Sequence, residues 1–366
     1  MKFGFAGAMG GSVAEFILIA RVLQERGHEC VVLPSLPRPV VPWTEVYLES
    51  LRSCQFGIMG IGSFLDVRAE EERAARVFAD LGTTFVALGD TPESVYRFTE
   101  GDTVHKLARH IVVADPAGVG DAEASKWREP KYLGLPPHLA ASYRTMISPD
   151  RLPFYANQVG GVRMFRISDR HTTLFLPGTN DFAMDLRTLR LLEEAVATLN
   201  VRGGEVIYGY REHPNLRKSD APETGEARAA IDAFFAGKMR LNYGEVNMAE
   251  TMRDESCVTI FGGLSSELLP GAHAGIRAAY FADAASLARN ERQGAKKGGV
   301  PIVIERGGFT MAGDAESLRG VLADLLNPVT YKAFCERRAI AFPRLQNGDS
   351  AIAYAEFLIG LAAERG

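Results

Sequence analysis

The sequence has no surplus of basic residues: 41 Lys and Arg stand against 45 Asp and Glu, a formal net charge of −4. A nucleic-acid binder normally carries a basic excess or stripe, so that class is set aside. No apolar run approaches the roughly 18–20 residues that span a bilayer. Met1-Lys2 leads straight into an apolar segment, without the charged region and small-residue cleavage site of a secretory leader. Cysteine is scarce, with four residues at Cys30, Cys54, Cys257 and Cys335. They are far apart, each in or beside an apolar segment, and read as reduced core thiols of a cytoplasmic protein. No Asp-x-Asp pair stands in a metal-binding context and no His/Cys cluster has ligand spacing, so metal-independent chemistry without a bound cofactor is expected.

What is present suits a globular enzyme: 366 residues, 46% apolar and 23% charged. That length predicts about two domains, each with its own core. The first series of elements opens with a strand at Lys2–Ala6, the turn GAMGGS and a helix over 12–26. Strands over 28–33, 56–61, 84–88 and 110–114 follow, with an amphipathic helix over 69–81. The passage ADPAGVGDAEASKWREPKYLGLPPH then reads as loop-rich, with proline and aromatics, and as the approach to a domain boundary. A second series has strands over 172–176, 205–210, 239–242, 257–261, 278–281 and 301–304. Helices are expected over 181–199, 223–236, 246–253, 315–326, 329–338 and 350–364, and the polar segment ARNERQGAKKGG as a mobile loop. Alternation of strand and helix predicts parallel sheets with crossover helices. The expected organisation is an acceptor-side domain over 1–160, a donor-binding domain over 170–345 and a terminal helix over 348–366.

The chain is organised around SCVTIFGGLSSELLPG. CVTIF is the short β-branched run of a strand buried on both faces. Gly262 and Gly263 let a ligand approach the backbone, and Ser265, Ser266 and Glu267 stand where the next helix begins. Unpaired N–H groups favour an anion there. The same serines would equally serve as ordinary caps. In the first series, Gly4, Gly7 and Gly10 are spaced G-x-x-G-x-x-G rather than G-x-G-x-x-G. The second strand also ends without the acid that binds a ribose, which disfavours a nicotinamide enzyme. Gly10, Gly11 and Ser12 remain as an acceptor-side loop. Asp90, in GDTPES, stands at the carboxyl end of a parallel strand, as a crevice residue or a cap. Gly178, Thr179 and Asn180 of PGTND hold the corresponding place in the second series, as pocket lining or a capped turn. Lys296-Lys297 is either solvated or placed to close over a pyrophosphate.

Two doubly wound domains facing across a cleft, with a final helix closing back toward the first, are the layout of GT-B glycosyltransferases. REHPN, after the second strand of the second series, resembles the His-Pro motif of bacterial sialyltransferases and related capsule and glycerophosphate transferases. GGLSSE resembles their Ser-Ser motif. The resemblance implies a nucleotide-sugar donor and a glycan or small-molecule acceptor. His213 and Pro214 would then face the donor phosphate, which Ser265 and Ser266 would hold. An imidazole, cationic or donating N–H, would stabilise the charge that grows on the leaving phosphate. The acidic triplet of those transferases does not occur here. Asp90 is the substitute general base, with Asp66 and Glu15 as rivals. Glu267 is the only glutamate of its region, whereas retaining enzymes of this fold carry two, so inversion is expected. The tripeptide Gly89-Asp90-Thr91 also resembles one found in sugar-nucleotide epimerases, and a non-catalytic nucleotide- or glycan-binding protein is a third reading.

Overall fold

The computed structural model describes residues 1–36, 40–62, 65–148, 155–158, 161–166, 171–179, 181–199, 205–213, 222–241, 248–253, 257–345 and 350–364. They form two compact units. The first comprises Met1–Ala141, Glu291–Lys297 and Gln346–Gly366; the second comprises Ser142–Asn290 and Gly298–Leu345.

The first unit is a parallel sheet of β1 (Lys2–Ala6), β2 (Glu29–Val32), β3 (Phe56–Gly60), β4 (Thr84–Leu88) and β5 (His110–Val112), in the order β2-β1-β3-β4-β5. β3 and β4 are buried along their whole length, as strands covered on both faces must be. On one face Phe3, Phe5, Phe16, Ile58 and Val86 pack with Tyr354 and Leu358. These last two belong to the final helix, Ser350–Ala363, which also pairs Glu356 with Arg26 at 2.9 Å. The expected return of the last helix to the first unit is therefore observed. On the other face Met59, Phe78, Phe85 and Ala87 close a second core. The strand order reverses direction between β1 and β3, and loops leaving their carboxyl ends diverge there to leave a crevice.

The second unit has six parallel strands: β8 (His171–Pro177), β9 (Glu205–Arg211), β10 (Met239–Leu241), β11 (Cys257–Phe261), β12 (Ala278–Phe281) and β13 (Thr310–Ala312). Their order is β13-β12-β11-β8-β9-β10. The sequential first and fourth parallel strands, β8 and β11, are thus neighbours, which is the Rossmann arrangement with its switch point between them. An antiparallel hairpin, β6 (Tyr155–Gln158) and β7 (Gly161–Arg166), extends the β10 edge. Both units are accordingly doubly wound α/β layers, as expected.

Three local expectations are corrected. The run over 301–304 is a helical turn, Ile302–Glu305, not a strand. Pro301, at φ −63°, lacks the N–H a ladder needs, and its carbonyl instead accepts the N–H groups of Ile304 and Glu305. The sheet edge is taken by β13. The polar segment expected as a loop begins inside a helix, Ala284–Arg292, in which Asn290 is fully buried. The passage before the expected domain boundary holds a helix, Gly118–Ala124, and runs into another, Pro137–Ile147. No disulfide joins the four cysteines, and Cys54 and Cys257 lie in the core. Among the described residues no helix is long and apolar enough to cross a membrane.

Candidate functional site

In the second unit the loops after β8 and β11 meet at the switch point. A Cβ placed on Gly262 would lie 3.7 Å from Thr179 Cγ2, and one on Gly263 would lie 3.4 Å from it. Gly178 is held by its N–H, which donates to the Arg211 carbonyl at 2.7 Å. A side chain there would fall 2.6 Å from the same oxygen, so only glycine fits. Behind the loop, Asp185 of the helix Phe182–Val196 is buried. Its carboxylate accepts the Thr179 N–H at 2.9 Å, Thr179 Oγ1 at 2.7 Å and the Tyr210 hydroxyl at 2.8 Å. Burial lifts Asp185 to about 6 against the pull of these donors. Tyr210→Phe leaves Asp185 short of one donor and should cost about 1–2 kcal/mol in urea unfolding, with little change in the fold.

His213 follows β9 at the same end of the sheet. Burial, with the Arg289 charge adding to it, pushes its imidazole down to about 4. Of the two forms expected for it, the neutral one is therefore resident at neutral pH. Arg289 was not anticipated. It projects from the helix Ala284–Arg292, with Nη1 3.8 Å from Met184 Sδ and 3.6 Å from the Cβ position of Gly263. Its signal was Asp283-Ala-Ala-Ser286, an N-cap spacing: Asp283 accepts the Ser286 N–H at 2.8 Å. Charge density in ARNERQGAKKGG outweighed that cue.

Ser265, Ser266 and Glu267 lie on the turn between β11 and the seven-residue helix Leu268–Ala274. Ser265 Oγ accepts the Glu267 N–H at 3.3 Å in the turn ahead of the helix, whose N-cap is Glu267, while Ser266 is exposed. The Glu267 carboxyl is buried and accepts Ser142 Oγ at 2.9 Å. Burial lifts it to about 7, with the Ser142 hydrogen bond and the Arg211 charge opposing. Asn180 and Pro214 lie outside the described residues.

The switch point of the first unit gathers a second constellation. A Cβ on Gly60 would lie 3.0 Å from Gly7 Cα and 3.0 Å from Ser12 Oγ, so β1, β3 and the first helix converge there. That helix starts at Gly10, with Gly10 and Gly11 exposed and Ser12 and Glu15 buried. Glu71, from the helix Leu65–Asp80, is fully buried and accepts the N–H groups of Ala8 at 3.1 Å and Gly62 at 2.7 Å. It fastens both strand-end loops, and burial lifts it to about 8. Asp90 Oδ1 accepts Ser94 Oγ and Arg97 Nη1, each at 3.0 Å. Arg97 is buried and also donates to the Ile61 carbonyl at 2.7 Å and Thr91 Oγ1 at 2.8 Å. Asp90 Oδ2 faces Gly11, 3.8 Å from its Cβ position. The capping of the turn Pro92–Tyr96 falls to Thr91 rather than to Asp90. Lys296 lies over the Tyr96 ring at 4.8 Å, and Lys297 is exposed. Asp66 opens its helix, with its side chain outside the described residues.

The structure thus brings Gly178, Thr179, Gly262, Gly263 and His213 to one strand end, and Gly10, Gly11, Ser12, Glu15 and Asp90 to another. No protein-family model and no curated protein sequence matches the chain. Solved structures do resemble it. UDP-GlcNAc 2-epimerase from Neisseria meningitidis, bound to UDP-GlcNAc, is 8% identical, with 98% of this chain and 100% of that chain covered and a TM-score of 0.59. UGT2 of Phytolacca americana, complexed with UDP-2fluoro-glucose and pterostilbene, is 11% identical, with 98% of each chain covered and a TM-score of 0.54. UGT89C1 of Arabidopsis thaliana, complexed with UDP, is 11% identical over 99% of this chain and 98% of that one, also with a TM-score of 0.54. The chain has the GT-B fold of two Rossmann-like units, shared by nucleotide-sugar glycosyltransferases and epimerases.

Proposed function

We propose that this chain is a nucleotide-sugar-dependent glycosyltransferase, whose second unit holds the donor. The observation that carries the reading is the β8/β11 switch point, where bare glycine backbone at Gly178, Gly262 and Gly263 meets His213 and Arg289. A glycosyl nucleotide leaves as a phosphate whose negative charge grows in the transition state. A fixed guanidinium and a neutral imidazole donating N–H stabilise that charge without a metal ion. Ser265 and Ser266 belong to the same donor loop. Asp90, through Oδ2, takes the proton of the acceptor hydroxyl as its oxygen attacks the anomeric carbon, giving inversion. The His-Pro and Ser-Ser likeness draws the reading toward the sialyltransferase and capsule-transferase group.

A thermal-shift screen with CMP, CDP, UDP and GDP tests the donor site, because a nucleotide that binds the native state raises its melting temperature. For the nucleotide that does so, calorimetry should show affinity weakened about tenfold or more in Arg289→Ala and in His213→Ala. No shift with any of the four, or affinities unchanged in both variants, would overturn the assignment. Gly89-Asp90-Thr91 and the likeness to the epimerases favour one second reading, interconversion of the sugar on its nucleotide. Incubation with UDP-N-acetylglucosamine and no acceptor separates them: an isomerised sugar marks the epimerase, and slow hydrolysis marks the transferase.

A further inference from the structure

Each buried carboxylate at the first unit's switch point has its partner, save one. Asp90 is paired with Arg97, and Glu71 takes two backbone N–H groups. Glu15 is 1% exposed, and its Oε1 has no hydrogen-bond partner among the described residues. Its neighbour His138, on the helix Pro137–Ile147, stands with Nδ1 3.8 Å from Glu15 Oε2, too far for a hydrogen bond. Burial pushes the His138 imidazole below its ordinary value, so it brings no compensating charge at neutral pH. His138 Nδ1 is itself buried and unpartnered. So is the oxygen of Ser12, a residue only 1% exposed that lies one turn from Glu15 on the same helix face. Its hydroxyl faces Gly60 between the ends of β1 and β3.

These three orphaned atoms share one chemistry. A carboxylate oxygen, a hydroxyl oxygen and an imidazole nitrogen, with the ring proton on Nε2, are all acceptors. A primary ammonium offers three N–H donors and a positive charge that favours the ionised form of Glu15, whose proton passes to solvent on binding. We propose that the first unit's switch point recognises a primary ammonium group on the acceptor, its three N–H groups donating to Glu15 Oε1, Ser12 Oγ and His138 Nδ1. The reading rests on the transferase assignment above and names its acceptor class: an amine-bearing molecule, such as an amino sugar, rather than a neutral or phosphorylated one. Burial, and after it the negative charge of Asp90, holds Glu15 well above the carboxylate range. Gly10 and Gly11, which open the helix just before Ser12, are exposed.

The test is calorimetric titration of the full chain with glucosamine and with glucose, with and without a saturating concentration of the nucleotide found by the thermal-shift screen. Glucosamine should bind at least tenfold more tightly than glucose. Glu15→Gln, which keeps the shape and removes the charge, should abolish the preference, and Ser12→Ala should reduce it severalfold. Equal affinities for the two sugars, binding of neither, or a preference that survives Glu15→Gln would each overturn the proposal. Failure of the nucleotide to bind while glucosamine is still preferred would instead overturn the transferase assignment, so the two failures are distinguishable.

Discussion

Replacing Gly299 by alanine should destabilise the second unit by about 4 kcal/mol, and replacing its neighbour Gly298 by about 1 kcal/mol. Both glycines have left-handed backbone, at φ +72° and +97°. A side chain at either pays the strain of that conformation, which is on the order of 1 kcal/mol. What surrounds them differs. Nothing lies within 4 Å of the Cβ position of Gly298, whereas that of Gly299 falls 1.9 Å from the Leu287 carbonyl oxygen and 2.5 Å from its carbon. Those are backbone atoms of the helix Ala284–Arg292, which cannot rotate away as a side chain would. Gly299 is pinned from its other side as well: its carbonyl accepts Asn290 Nδ2 at 2.9 Å, and the same amide donates to the Tyr280 hydroxyl at 2.7 Å. Alanine at 299 must therefore push the helix outward or break the Asn290 network, and Arg289 moves in either case. Urea unfolding followed by circular dichroism measures the difference between the two variants, which isolates the contact from the strain. Nucleotide affinity should fall in Gly299→Ala and hold in Gly298→Ala. Equal destabilisation by the two substitutions would show that the close approach to Leu287 does not constrain the helix.

That same helix marks the limit of what could be read from residue order. Strands such as Lys2–Ala6, Thr84–Leu88 and Cys257–Phe261 were legible because buried parallel strands are uninterrupted apolar runs. Gly262-Gly263 and Asp90 were legible as strand-end residues for the same reason. Arg289 was not, because a helix held by one buried amide and a distant glycine looks like polar loop when its neighbours in sequence are the only guide. The strand expected over 301–304 failed on a single residue, Pro301, whose ring fixes φ and removes the ladder donor. Glu15 was a rival for a role in the chemistry, yet its isolation from any cation depends on where Arg97, Glu71 and His138 come to rest. Those partners lie up to 123 residues away in sequence, and no periodicity encodes their distances.

The pH dependence of the first unit should run opposite to that of an ordinary salt-bridged protein. Glu71 is lifted to about 8 and Glu15 well above the carboxylate range, each chiefly by burial. In the unfolded chain both return to about 4.3. Between those values the folded unit holds protons that the unfolded chain has released, so stability falls as pH rises and is lost through the folded-state values. His28 and His138 work the other way, since burial lowers both and the unfolded chain takes up their protons below about 6.5. The carboxyl effect therefore stands clear of the histidines from about pH 6.5 to 9, where Glu71 alone should remove about 2 kcal/mol and Glu15 acts in the same direction. The measurement is selective, because the chain has two tryptophans, Trp43 and Trp127, both within Met1–Ala141. Urea unfolding followed by their fluorescence reports the first unit. Glu71→Gln should remove its own part of the slope while lowering stability at pH 6.5, because an amide cannot accept from both Ala8 and Gly62. Stability that stays flat between pH 6.5 and 9 would mean that both carboxyls are already ionised in the folded unit.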